Sequence, residues 1–111
     1  MIDIETLRGY YRQRKIFMSE HASNRCTQRG ITQKDIKNCI MNGEIIEQYP
    51  NDFPWPSCLI FGHAINQKAI HVVASDNGEY SKIITAYIPD TKIFENDLKT
   101  RRAKNDEMFF L

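Results

Sequence analysis

The stretch SCLIFGHAINQKAIHVVASDNGEYSKIITAYI, residues 57–88, decides the fold. It holds three runs rich in Val, Ile, Tyr and Phe, namely Ser57 to Ile65, Lys68 to Ser75 and Tyr80 to Ile88, the residue types that pack well on a pleated surface. Asn66 and Gln67 fill the first break, and Asp76, Asn77 and Gly78 the second, both short enough for hairpins. With EIIEQY at residues 44–49 as a further strand, the pattern predicts a four-stranded antiparallel sheet in meander order. The intervening YPNDFPWPS, residues 49–57, carries three prolines, which do not fit a central strand, so it is read as a loop.

Upstream of the sheet the period becomes helical. SEHASNRCTQRG, Ser19 to Gly30, is long enough for about three turns, begins at a capping serine and stops at a glycine suited to the left-handed position that ends helices. His21, Arg25 and Arg29 fall four residues apart and form one stripe, beside a small apolar stripe of Ala22 and Cys26 that lets the helix approach a sheet closely. Two guanidiniums and an imidazole do not attract one another, so the stripe asks for a partner outside the helix, unless it is a solvated face. Thr32 with Asp35 resembles a capping box for a further helix whose inner face is Ile36, Cys39 and Ile40 and which Gly43 closes. Residues 3–14 read as an N-terminal helix with Ile4, Leu7 and Tyr11 on its apolar face, and Ile16, Phe17 and Met18 as an apolar connector.

Downstream, Pro89 and Asp90 end the last strand. Residues 93–104 read as a C-terminal helix, with Phe94 and Leu98 apolar at i and i+4 and a basic end at Arg101, Arg102 and Lys104. The apolar tip Met108 to Leu111 reads either as a segment that docks on the body or as a partner-binding peptide, docking within a complex being preferred. The fold class is therefore α+β: N-terminal helices, a four-stranded antiparallel sheet with helices on one face, and a C-terminal helix, in a single domain over residues 1–111.

Composition narrows the function classes. A hydrophobic content of 41% is that of a globular chain, and a net charge of +1 gives no global pull toward nucleic acid. The charge is unevenly spread: residues 1–42 carry eight Lys/Arg against four Asp/Glu, residues 43–98 three against eight, and residues 99–111 four against two. Two basic ends thus flank an acidic middle, and they make a basic patch only if the fold brings them together. Cys26, Cys39 and Cys58 have no C-x-x-C spacing and read as reduced core residues. No run approaches the roughly 20 apolar residues needed to span a bilayer and the N-terminus carries no signal pattern, so a cytoplasmic protein is expected. There is no i, i+4 His pair, no paired Cys, no Gly-rich phosphate loop and no dinucleotide fingerprint, so neither metal nor cofactor is expected. Glu44 and Glu47, three apart on a strand, are expected on opposite faces.

The blocks H-A-x-x-R-x-x-x-R-G-I-T from His21, G-E-I-I-E-x-Y-P from Gly43, then P-S-C-L, H-V-V-A and I-I-T-A-Y, resemble the small bacterial family catalogued as domain of unknown function 4258. They run from His21 to about Asp97, most of the chain. The order of elements is also similar to that of RelE-like and BrnT-like bacterial toxins, small ribonucleases with a curved antiparallel sheet. The resemblance implies a toxin of a type II toxin–antitoxin pair, acting on RNA as a metal-independent endoribonuclease. The implied partner is a cognate antitoxin protein of zinc-binding type, with no membrane involved and a homodimer left open. The family's characteristic positions fall on His21, Arg25, Arg29, Gly30, Thr85 and Tyr87, and its loop motif on Pro50, Pro56, Ser57 and Cys58.

Metal-free cleavage of RNA needs a base for the ribose 2′-hydroxyl, an acid for the leaving 5′-oxygen and a cation for the phosphorane. A His does either proton job near neutral pH, and Arg offers a fork matched to phosphate. The expected catalytic set is therefore His21, Arg25 and Arg29 with Thr85 and Tyr87, which by alternation share a sheet face with Ile83. Expected RNA contacts are Arg101 and Arg102, His71 as a second imidazole, and Trp55 in the proline-rich loop as a stacking surface. Whether His71 lies on the face of Thr85 and Tyr87 depends on strand register. Whether the chain is an enzyme at all stays open, the alternative being a non-catalytic RNA- or protein-binding module that uses the basic helix face.

Overall fold

A computed structural model of the chain describes residues 1–103. In order come helix α1 (Ile4–Arg12), strand β1 (Ile16–Met18), helices α2 (Glu20–Gln28) and α3 (Gln33–Asn42), and strands β2 (Glu44–Tyr49), β3 (Ser57–His63), β4 (Ala69–Ser75) and β5 (Ser81–Tyr87). The strands form one sheet in the order β1-β5-β4-β3-β2. Strands β2 to β5 make the expected antiparallel meander, and β1 lies parallel to β5.

The helix signals act as the sequence suggests. Asp3 and Ser19 accept from the amides of Glu5 and Ala22, and Thr32 with Asp35 forms a reciprocal capping box, so orphan N–H groups at each helix start are satisfied. Gly30, just past α2, adopts φ +73°, the left-handed conformation that turns the chain into α3. Leu7 and Tyr10 of α1, Cys26 of α2, and Ile36, Cys39 and Ile40 of α3 share one core with Cys58, Ile60, Ile70, Val72, Ala74, Ile83 and Ala86 of the sheet. Helix α3 sits so near β3 that a Cβ on Gly62 would stand 2.7 Å from both the Cys39 carbonyl oxygen and its sulfur. The absence of a side chain there sets the helix-to-sheet spacing.

Four expectations are corrected. The sheet has five strands and is mixed, because Ile16 to Met18 pair with Ser81 to Ile83 and the Lys15 carbonyl accepts the Ser81 amide at 3.0 Å. A three-residue run carries too little alternation to announce itself, but it covers part of an edge that β5 would otherwise expose. The C-terminal helix over residues 93–104 is absent from the described part of that stretch. The Leu98 amide donates to the Glu95 carbonyl at 2.9 Å, the Glu95 amide to the Thr100 carbonyl at 2.7 Å, and Phe94 bridges Arg101 antiparallel. The Asp97 carboxylate takes the amides of Lys99 and Thr100, the local competition by which Asn and Asp favour turns over helix interiors. Residues 90–103 are thus a small looped strap; Lys104 and the Met108 to Leu111 tip lie outside the described residues.

The other two corrections come from β-bulges. Ile45 pairs with Ile60 but Glu47 pairs with Leu59, so Ile46 is an extra residue and Glu44 and Glu47 share a face. Likewise Val73 pairs with Thr85 but Ala74 with Ile83. Ile84 is the extra residue, and Ile83 faces the helices rather than the side of Thr85 and Tyr87.

Candidate functional site

The sheet face away from the helices carries two rows across the strands. One row is Glu44, Phe61, His71 and Tyr87, and the next is Glu47, Leu59, Val73 and Thr85. The register therefore answers the question that the sequence leaves open: His71 is the direct cross-strand neighbour of Tyr87.

His71 is fully buried. Its Nε2 lies 2.7 Å from the Leu98 carbonyl oxygen, which can only accept, so Nε2 carries the proton and Nδ1 is left to accept from the Tyr87 hydroxyl at 3.3 Å. Burial pulls the imidazole pKa down, and this outweighs the Leu98 carbonyl and the Glu47 carboxylate, which push it up. The ring is neutral at neutral pH. Burial also raises the Tyr87 pKa, so its hydroxyl stays protonated as a donor. The Phe94 ring of the strap stands edge-on to His71 at 4.6 Å between centroids and is 2% exposed. Phe61 and Tyr87 stand edge-on to the same imidazole at 6.1 and 5.3 Å.

Around this centre the charges are paired. Arg101 grips Glu47 with two bonds, 2.8 Å from Nε and 3.1 Å from Nη2, and the Tyr49 hydroxyl donates to the same carboxylate. Burial alone would raise the Glu47 pKa, but Arg101 and Tyr49 hold it below the ordinary carboxylate range. Tyr49 in turn is pushed up to about 12 by burial and by Glu47. Lys99 binds Glu44 at 2.9 Å and lies over the Phe61 ring.

The expected catalytic stripe on α2 is divided. Arg29 reaches β5, donating from Nη1 to the Thr85 hydroxyl at 3.1 Å and to the Ala86 carbonyl at 2.8 Å. His21 and Arg25 are exposed and, among the described residues, have no hydrogen-bond or ion-pair partner. His21 begins two turns before Arg29, about 12 Å along the axis at 1.5 Å per residue. Two pairs therefore lie on β5 and β4, Arg29 with Thr85 and Tyr87 with His71; Arg101 stands over the Phe94 ring that packs on His71, and His21 and Arg25 face solvent. Arg102 stays inside the strap, paired with Glu95 at 2.6 Å. Trp55 is 48% exposed and lines a cleft with Ser19, Tyr80, Lys82 and Ile84.

Sequence reasoning missed Glu47, Tyr49 and Phe94. Strict alternation hid the first two behind the bulge at Ile46, and the helical spacing of Phe94 and Leu98 hid the third; the Asn96-Asp97 pair was the available turn signal. The cysteines are free and buried, and burial pushes the thiols of Cys39 and Cys58 up to about 12, so both are inert. Among the described residues no group of three or more His, Cys, Asp or Glu is placed to hold a metal ion, and no helix is long and apolar enough to cross a membrane.

No curated protein and no solved structure matches the chain. A family match covers residues 18–88, which takes in everything from the end of β1 through β5 and leaves α1 and the strap outside it. That span is more than half of the chain, and the protein belongs to the family described as Domain of unknown function (DUF4258).

Proposed function

We propose that the protein is a metal-independent endoribonuclease acting on RNA, of the kind that serves as the toxin of a toxin–antitoxin pair, with His71 and Tyr87 handling the proton. The observation that carries this reading is the His71–Tyr87 hydrogen bond, in which a neutral imidazole of fixed tautomer presents Nδ1 to a tyrosine hydroxyl. In the reaction, the ribose 2′-oxygen attacks phosphorus as its proton passes to the Tyr87 oxygen, and the Tyr87 proton moves to Nδ1. The P–O5′ bond breaks, and the proton returns by the same relay to the leaving 5′-oxygen, giving a 2′,3′-cyclic phosphate. Arg29, fixed to Thr85 on the same strand, keeps guanidinium N–H groups for a phosphate oxygen, and Arg25 and His21 offer further phosphate contacts along α2.

A second reading, a non-catalytic RNA- or protein-binding module, draws on the burial of His71 beneath Phe94. Cleavage of a labelled single-stranded RNA in EDTA separates the two. The nuclease reading expects His71→Ala and Tyr87→Phe to lose cleavage by about 10²-fold or more, and His21→Ala to retain most of it. A wild-type protein that leaves both the RNA and the message in a translation extract intact overturns the nuclease reading.

A further inference from the structure

The face beneath the strap is acidic and aromatic, and the strap that fills it is basic and aromatic. Phe94 stands in a socket walled by His71, with Phe61 and Tyr87 beyond, and five and seven residues later Lys99 and Arg101 bind Glu44 and Glu47. The backbone hydrogen bonds of the strap close on the strap itself: Glu95 to Thr100, Leu98 to Glu95, Arg102 to Ile93. To the sheet it offers side chains and one carbonyl, that of Leu98, a residue held at φ +60° where a non-glycine side chain is strained. The Lys99–Glu44 pair is partly solvated, a setting in which such pairs hold weakly, whereas the two-bond Arg101–Glu47 pair is the firmer contact. The strap lies beyond the residues that match the family, whereas the socket and both carboxylates lie within them.

We propose that this face is a peptide-docking site. It takes a segment of a partner protein that presents an aromatic side chain followed about five and seven residues later by two cations, and the strap is its built-in occupant. The charge complement selects a basic peptide over a nucleic acid, because lifting the strap leaves Glu44 and Glu47 to repel phosphate. The site does not depend on the nuclease reading, since its ligand is recognised whether or not His71 moves a proton.

The test uses the full chain with Phe94→Ala, which empties the socket, and a fluorescent synthetic peptide of residues 90–103. Saturable binding of the peptide to the variant, at least about tenfold tighter than to the wild type, is expected, because the wild-type strap competes from the same chain. A peptide with alanine in place of its phenylalanine, or glutamate in place of its two paired cations, is expected to lose that binding. The wild-type Nε2–H tautomer of His71, read by ¹⁵N NMR, is expected to return when the peptide binds. Should Phe94→Ala unfold, the Lys99→Ala/Arg101→Ala variant serves instead, with the same peptide. Binding no tighter than to the wild type, binding indifferent to the aromatic ring, or binding kept when the two paired cations are replaced by glutamate overturns the proposal.

Discussion

Arg29→Ala tests what the α2 stripe is for. Strand β1 pairs with β5 only from Ser81 to Ile83, so the later residues of β5 have no strand on that side, and the Arg29 guanidinium supplies donors there to the Thr85 hydroxyl and the Ala86 carbonyl. A hydrogen bond from a charged donor contributes about 1.5–3 kcal/mol, and the exposure of Arg29 reduces that, so a loss of about 1–2 kcal/mol is expected. At the urea dependence usual for a small domain, this moves the unfolding midpoint by roughly 1 M. Arg25→Ala, four residues earlier on the same stripe and without a partner among the described residues, is expected to change stability by less than about 0.5 kcal/mol. Urea titration followed by circular dichroism gives both numbers. If Arg29→Ala costs no more than Arg25→Ala, the guanidinium does not fasten α2 to the sheet, and its place beside Thr85 has to be explained by a ligand instead.

Two further outcomes concern titration. The Asp35 carboxylate accepts the amides of Thr32 at 2.8 Å and Ile65 at 2.9 Å; burial raises its pKa, but these bonds outweigh burial and hold it below 3.8. Asp35→Asn is expected to cost about 2 kcal/mol at neutral pH. The depressed folded value makes the wild-type advantage full above pH 3.8 and lost as pH falls through that lower value, so a gap between the two proteins that stays constant in acid would contradict the assignment. For His71 the folded pKa is also depressed, here by burial, so the native state binds fewer protons than the unfolded chain. Its contribution is complete above pH 6.5 and declines as pH drops from there through the folded value; a His71→Gln variant with the same slope in that interval would locate the slope elsewhere.

Much of the fold was legible because its signals are local. Ser19, Gly30 and the Thr32–Asp35 box mark helix ends by hydrogen bonds that span a few residues, and the runs from Ser57 to Ile88 declare strands by residue type. What escaped depended on partners distant in sequence. The single extra residues Ile46 and Ile84 reverse a face without leaving a compositional mark, and each moves a neighbour to the opposite side from the one alternation assigns, Glu47 in one case and Ile83 in the other. Phe94 and Leu98 satisfied a helical period, yet the gain from seating Phe94 against His71 and from the Asp97 turn outweighed it. The candidate site was half visible for the same reason: Arg29 meets Thr85 across the end of α2 and β5, whereas the meeting of Tyr87 with His71 depends on strand register and the burial of His71 on a strap about 25 residues further along.

The parallel pairing of β1 with β5 has a kinetic consequence. Ile16 meets Ser81 across 65 residues of chain, whereas the hairpin partners around it are neighbours in sequence. Closing so long a loop brings only three residues into register, so the meander and α3 can assemble first and β1 is expected to join last. By the same logic it leaves first. Amide hydrogens of Ile16 to Met18 should then exchange through a local opening well before those of β3 and β4, and during such openings the bare side of β5 is briefly able to pair with another strand.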